Sequence, residues 1–79
     1  MLMMSKRGNA MDNENDGLTP RELECLQGAA DGVSSDEISE RLGISRPAVA
    51  RHFSSIYRKL GISGKPGAVA VAMRRGLIT

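Results

Sequence analysis

The sequence predicts an all-α domain of four short helices, and three observations carry that prediction. Capping signatures recur along the chain, each followed by apolar residues at helical spacing; a glycine closes each of the first three segments; and no stretch alternates apolar and polar residues as a half-buried strand would. With 79 residues, 41% of them hydrophobic, the chain can build one small core but not two.

Residues 1–17 are polar, rich in Asn and Asp, and lack apolar periodicity, so they read as a disordered lead-in to a folded domain over 18–79. The first helix is announced by Leu18-Thr19-Pro20-Arg21-Glu22-Leu23. Thr19 serves as cap, Pro20 suits the first helical position, Glu22 can complete a capping box, and Leu18 with Leu23 forms a hydrophobic staple. Leu23, Leu26, Ala29 and Ala30 then recur until Gly32 stops the helix.

The same grammar repeats with Val33 and Ile38 as staple, Ser34 as cap and Glu37 as box partner, with Ile38 and Leu42 inward and Gly43 as the end. A third copy uses Ile44, Ser45 and Val49, but Ala48 stands where the box carboxylate would be. This helix, about 46–60, carries Val49, Phe53, Ile56 and Leu60 on one face and ends at Gly61. A fourth segment runs from about Lys65 to Arg75 behind Ser63 or Gly64, with Pro66 in its first turn. Its run Ala68–Met73 is apolar throughout. Ala68, Val69 and Ala72 are expected to face the core together with Leu77 and Ile78, leaving Pro66, Ala70 and Met73 on a neighbouring face suited to pairing with a second copy.

Charge is divided along the chain. Residues 1–17 carry −1, residues 18–44 carry −4, and residues 45–79 carry +7 with no acid among them, giving the net +2. A positive half of this kind suggests a polyanionic partner, against the plainer reading of a solvated cluster of Lys and Arg. The single cysteine, Cys25, excludes an internal disulfide, which a secreted protein of this size would normally need, so a reducing, cytoplasmic home is expected. Met1–Arg7 does not resemble a signal-peptide core, and no run approaches the ~18 apolar residues of a membrane span.

The second helix, the turn Gly43-Ile44-Ser45 and the third helix have the spacing of a helix-turn-helix over 35–60, in which the glycine admits the left-handed backbone of the turn. Such a unit lays its second helix in the major groove of duplex DNA. The residues turned away from the apolar face, Arg46, Pro47, Ala50, Arg51 and Ser54, are the candidate base readers, the two arginines having the fork that suits guanine O6 and N7. Ser45, His52, Arg58, Lys59 and Lys65 are candidate phosphate contacts, which supply affinity without reading sequence. A glutamate in place of Ala48 would face phosphates, which explains its absence.

These stretches, Leu18-Thr19-Pro20-Arg21-Glu22, Ile38 to Leu42-Gly43-Ile44-Ser45, Val49, His52, Arg58-Lys59-Leu60-Gly61-Ile62 and Arg75-Gly76-Leu77-Ile78, closely resemble the LuxR-type (GerE-like) DNA-binding domain. The resemblance covers Leu18 to Ile78 and implies a four-helix bacterial transcription regulator whose fourth helix often mediates dimerisation. Its relatives usually carry this domain beside a receiver or sensing domain, so the chain resembles the stand-alone members or is an excised fragment. The family usually has Thr at position 48 and often Lys at 50 and 54, and Arg51 replaces a typically apolar residue. Target sequence therefore does not transfer. Gly64, Pro66 and Gly67 also depart from the usual start of the fourth helix and weaken its first turn.

His52 is the only histidine, with no cysteine or acid at ligand spacing, so it reads as a buttress or phosphate contact and not as a metal ligand. Cys25 reads as a small buried hydrophobe, with a redox-sensing thiol as the sharper alternative. No acid follows Glu40, which leaves no nucleophile, base and orienting acid to assemble, and neither an enzyme nor a cofactor is expected. One Phe and one Tyr give no stacking platform for single strands. The functional reading is sequence-specific binding of double-stranded DNA as a homodimer, with RNA polymerase as a further candidate partner. The alternatives are a module that pairs with and blocks a longer LuxR-type regulator, and a polymerase-associated module like sigma region four, which the dense match over 18–61 opposes.

Overall fold

The computed structural model describes residues 16–79, and within them the chain forms four helices and no strand: α1 (Pro20–Ala30), α2 (Ser35–Leu42), α3 (Arg46–Leu60) and α4 (Lys65–Arg74). The expected lead-in lies outside the described residues except for Asp16 and Gly17. Those two are tied to the domain: an Asp16 carboxylate oxygen accepts from Arg75 at 2.5 Å, and the Gly17 carbonyl accepts from Lys59 at 3.0 Å.

Local chemistry sets the helix starts. At α1 the box is complete, Thr19 Oγ1 accepting from the Glu22 amide at 3.1 Å while Glu22 Oε1 accepts from the Thr19 amide at 2.9 Å. At α2 only half of the expected box forms. Ser34 Oγ accepts from the Glu37 amide, but the Glu37 carboxylate turns to Arg41 one turn on, at 3.2 Å. Ser45 Oγ accepts from the Ala48 amide and so caps α3 without any acid in its first turn. At α4 the cap is Gly64, with no side-chain hydrogen bond.

The turn between α2 and α3 rests on Gly43, whose φ of 68° lies in the left-handed region, with the Ile44 amide donating back to the Ser39 carbonyl at 3.1 Å. An apolar residue follows the terminating glycine in each case, and Val33, Ile44, Ile62 and Leu77 all fold back against the core. The core itself is drawn from every element. Leu26, Ile56, Val49 and Cys25 are fully enclosed, and Leu18, Ile38, Phe53, Leu60, Ala68, Val71, Ala72 and Ile78 complete it. Each large aliphatic buried in this way contributes roughly 1.5–3 kcal/mol.

α1 and α3 each pack on all three other helices, which makes α3 rigid along its apolar face. α4 is rotated slightly from expectation. Ala68 and Ala72 are inward as anticipated, but Val71 is buried with them and Val69 lies only at the core's margin. The cause is Gly67: a Cβ there would sit 2.9 Å from Ile62 Cδ1, so the bare glycine allows Ile62 to press onto the helix and sets which side faces inward. A residue that weakens the first turn by propensity thus creates the contact that orients it. Among the described residues, no helix is long and apolar enough to cross a membrane.

Candidate nucleic-acid interface

α3 divides cleanly by accessibility. Val49, Phe53, Ile56 and Leu60 are buried, whereas Arg46, Pro47, Ala50, Arg51 and Ser54 are all exposed, and these five cover the outer side of its N-terminal half. The 3.6-residue period brings them together without any irregularity in the helix. Ser45 caps the helix and its first turn holds no acid of its own, so the positive end of the α3 dipole lies beside these residues without a carboxylate from the same helix.

The five base-reading candidates are not equivalent. Arg51 extends from mid-helix with no ion-pair partner within the described residues, while Arg46 Nη1 donates to Asp36 Oδ1 of α2 at 2.5 Å. This link crosses the helix-turn-helix and was not legible in the sequence, since residues ten apart on two helices have no periodic relation.

The phosphate candidates separate more sharply. Ser45 and Arg58 are exposed and His52 is half-buried on the same helix, but Lys59 and Lys65 are engaged within the protein. Lys59 Nζ donates to Glu22 Oε1 at 2.9 Å and to the Gly17 carbonyl, and its side chain is only 29% exposed. The Glu22 side chain beneath it is 5% exposed. Burial pushes the Glu22 carboxyl pKa up, but hydrogen bonds from Lys59, Ser55 and the Thr19 amide, with the Lys59 charge, outweigh it and hold the value below the ordinary 4.5. Lys65 Nζ donates to Ser35 Oγ at 2.9 Å and lies 4.9 Å from the Phe53 ring centroid, a cation–π distance. These two lysines join elements of the fold.

On α4, Pro66, Ala70 and Met73 are exposed, and Met73, at 46%, is the exposed large hydrophobic residue of the described chain. Cys25 is wholly enclosed and its thiol pKa is raised by that burial, which favours the hydrophobic role over a reactive thiolate.

This arrangement coincides with a known family. The description "Bacterial regulatory proteins, luxR family" (GerE) matches residues 16–72. The chain belongs to that family. Among relatives of this LuxR-family chain is the HTH-type quorum sensing-dependent transcriptional regulator VjbR of Brucella ovis, 43% identical over 61 residues, covering 77% of this chain and 24% of the relative. The transcriptional regulatory protein YdfI of Bacillus subtilis is 39% identical over 62 residues, covering 78% and 29%. This chain therefore spans about a quarter of the curated relatives it matches. Among solved structures, the transcription factor GerE superposes with a TM-score of 0.76 at 37% identity, over 78% of this chain and 92% of its own. The response regulator ChrA of a heme-sensing two-component system gives 0.75 at 30% identity, over 96% of this chain and 40% of its own.

Proposed function

We propose that this LuxR-family chain binds double-stranded DNA sequence-specifically and regulates transcription, with the N-terminal half of α3 in the major groove. The observation that carries this reading is the joint exposure of Arg46, Pro47, Ala50, Arg51 and Ser54 on a helix whose opposite face is locked into the core. An α-helix fits the major groove, and an arginine fork held on a rigid helix meets guanine O6 and N7 at low ordering cost. Ser45, His52 and Arg58 supply backbone contacts around that face. Lys59 and Lys65 act through the fold that presents it, since their ammonium groups are already engaged.

A titration against genomic duplex fragments at several salt concentrations tests this. Affinity should fall steeply with salt, in proportion to the phosphates neutralised, and one class of fragment should be preferred. Arg51→Ala should weaken the preferred site by about 5–150-fold, the equivalent of ~1–3 kcal/mol for one bidentate base contact, and random duplex much less. Equal losses on all sequences would move Arg51 to the phosphates, and a flat salt response with no preferred fragment would overturn the reading.

A further inference from the structure

Among the described residues, the acid that reaches the outer face of α3 comes from a different helix. Asp36 lies in the first turn of α2, and its Oδ1 accepts from Arg46 Nη1 at 2.5 Å across the helix-turn-helix. Both side chains stay in water, at 68% and 65% exposed for Arg46 and Asp36. An exposed pair of this kind adds little to stability. Its placement is more telling, because a carboxylate beside a face built for a polyanion weakens general attraction to DNA.

The geometry of the bond distinguishes two roles for that carboxylate. A bidentate clasp would occupy a whole edge of the guanidinium and hide it. The observed contact uses one of the five N–H donors of the group, leaving a two-donor edge for a base. The carboxylate tethers the guanidinium at Nη1 while its Nε–Nη2 edge is unengaged within the described residues. Asp36 also raises the pKa of Arg46, through the hydrogen bond first and its charge second. Exclusion of water on docking would increase the attraction within the pair, at the expense of desolvating both charges.

We propose that Asp36 is a specificity-determining positioning residue: it acts through Arg46, orienting that guanidinium for one guanine while opposing attachment to duplex of any other sequence. The inference rests on the DNA-binding reading above and extends it to a residue outside the recognition helix. It gives α2 a part in sequence choice in addition to any contact with phosphates.

The test uses the full chain, its preferred duplex and a panel of single base-pair variants of that duplex. Wild type, Asp36→Asn, Arg46→Gln and the double variant are compared, with thermal unfolding of each as a control. Arg46→Gln should abolish discrimination at one base pair. Asp36→Asn should reduce discrimination at that same base pair several-fold, leave the other positions unchanged, and hold or raise affinity for random duplex. In the double variant the loss at that base pair should equal that of Arg46→Gln alone, the non-additivity expected when one residue acts through the other. If Asp36→Asn shifts all duplexes alike, or sharpens discrimination at the Arg46 base pair, the positioning role is wrong and Asp36 merely repels DNA or sequesters Arg46. A wild type that prefers no duplex overturns the DNA-binding reading and this inference together. A wild type with a clear site and an Asp36→Asn variant with an unchanged base-pair profile overturns this inference alone.

Discussion

Glu22 shows how one residue can hold two structural roles that the sequence reveals unequally. Its place three residues after Thr19 identifies it as a capping-box partner, and both hydrogen bonds of that box are formed. Its other role follows from the helical period. Positions 22, 25, 26 and 29 share one side of α1, so the carboxylate lies on the buried stripe and requires a cation. That cation is Lys59, 37 residues away, a partner no local pattern could name. Lys59→Ala should therefore act first on stability, costing roughly 1–3 kcal/mol in urea unfolding by leaving a buried carboxylate without its counter-charge and with one hydrogen bond fewer. A fully enclosed pair would lose more, and partial exposure of the ammonium reduces the figure. An unchanged unfolding midpoint would return Lys59 to the solvent-facing cations.

The same pair predicts an acid limb. The folded Glu22 pKa is depressed below its ordinary 4.5, so the carboxylate's contribution is complete above that value and is lost as pH falls through the folded pKa. Glu22→Gln should flatten stability against pH below about 4.5 relative to wild type. Equal slopes in the two proteins would place the acid sensitivity elsewhere, for instance at the exposed carboxylates.

At the scale of elements, caps were the most readable feature and the rotation of a helix the least. Thr19, Ser34 and Ser45 cap the helices assigned to them because a short oxygen-bearing side chain before an apolar repeat has few other uses. The inward residues of α3 could be named because its apolar and polar positions differ in kind. In α4 the run Ala68–Met73 is apolar on every side, so its phase had to come from tertiary contact, which Ile62 against Gly67 supplies. The turn of the helix-turn-helix allows a direct test. A Cβ at Gly43 would meet nothing within 4 Å, yet φ is 68°, so the cost of Gly43→Ala is conformational and not steric. It should destabilise the domain by about 1–2 kcal/mol, and Gly43→Asn by less, since Asn tolerates the left-handed region better. Equal penalties for Ala and Asn would show that space, not backbone conformation, sets the requirement.

At the scale of the whole molecule, a single recognition helix reads only a few base pairs, and two-fold duplication is the common route to a longer site. We propose α4 as the surface for this. With Gly67, Ala68, Val71 and Ala72 committed inward, Pro66, Ala70 and Met73 remain together on the outer side, one helical turn apart. Pro66 and Ala70 permit close helix approach and Met73 adds one larger contact, but three residues bury little area, so pairing in solution should be weak. Binding to two half-sites about one helical turn of DNA apart, ~10 base pairs, would hold two copies side by side and strengthen it. Ala70→Glu places a charge at the centre of that face while leaving the core untouched. Thermal unfolding should be almost unchanged, a footprint should shrink from two half-sites to one, and the dependence of occupancy on protein concentration should lose its cooperativity. If Ala70→Glu still protects both half-sites at wild-type concentrations, the two copies meet through another surface or bind independently.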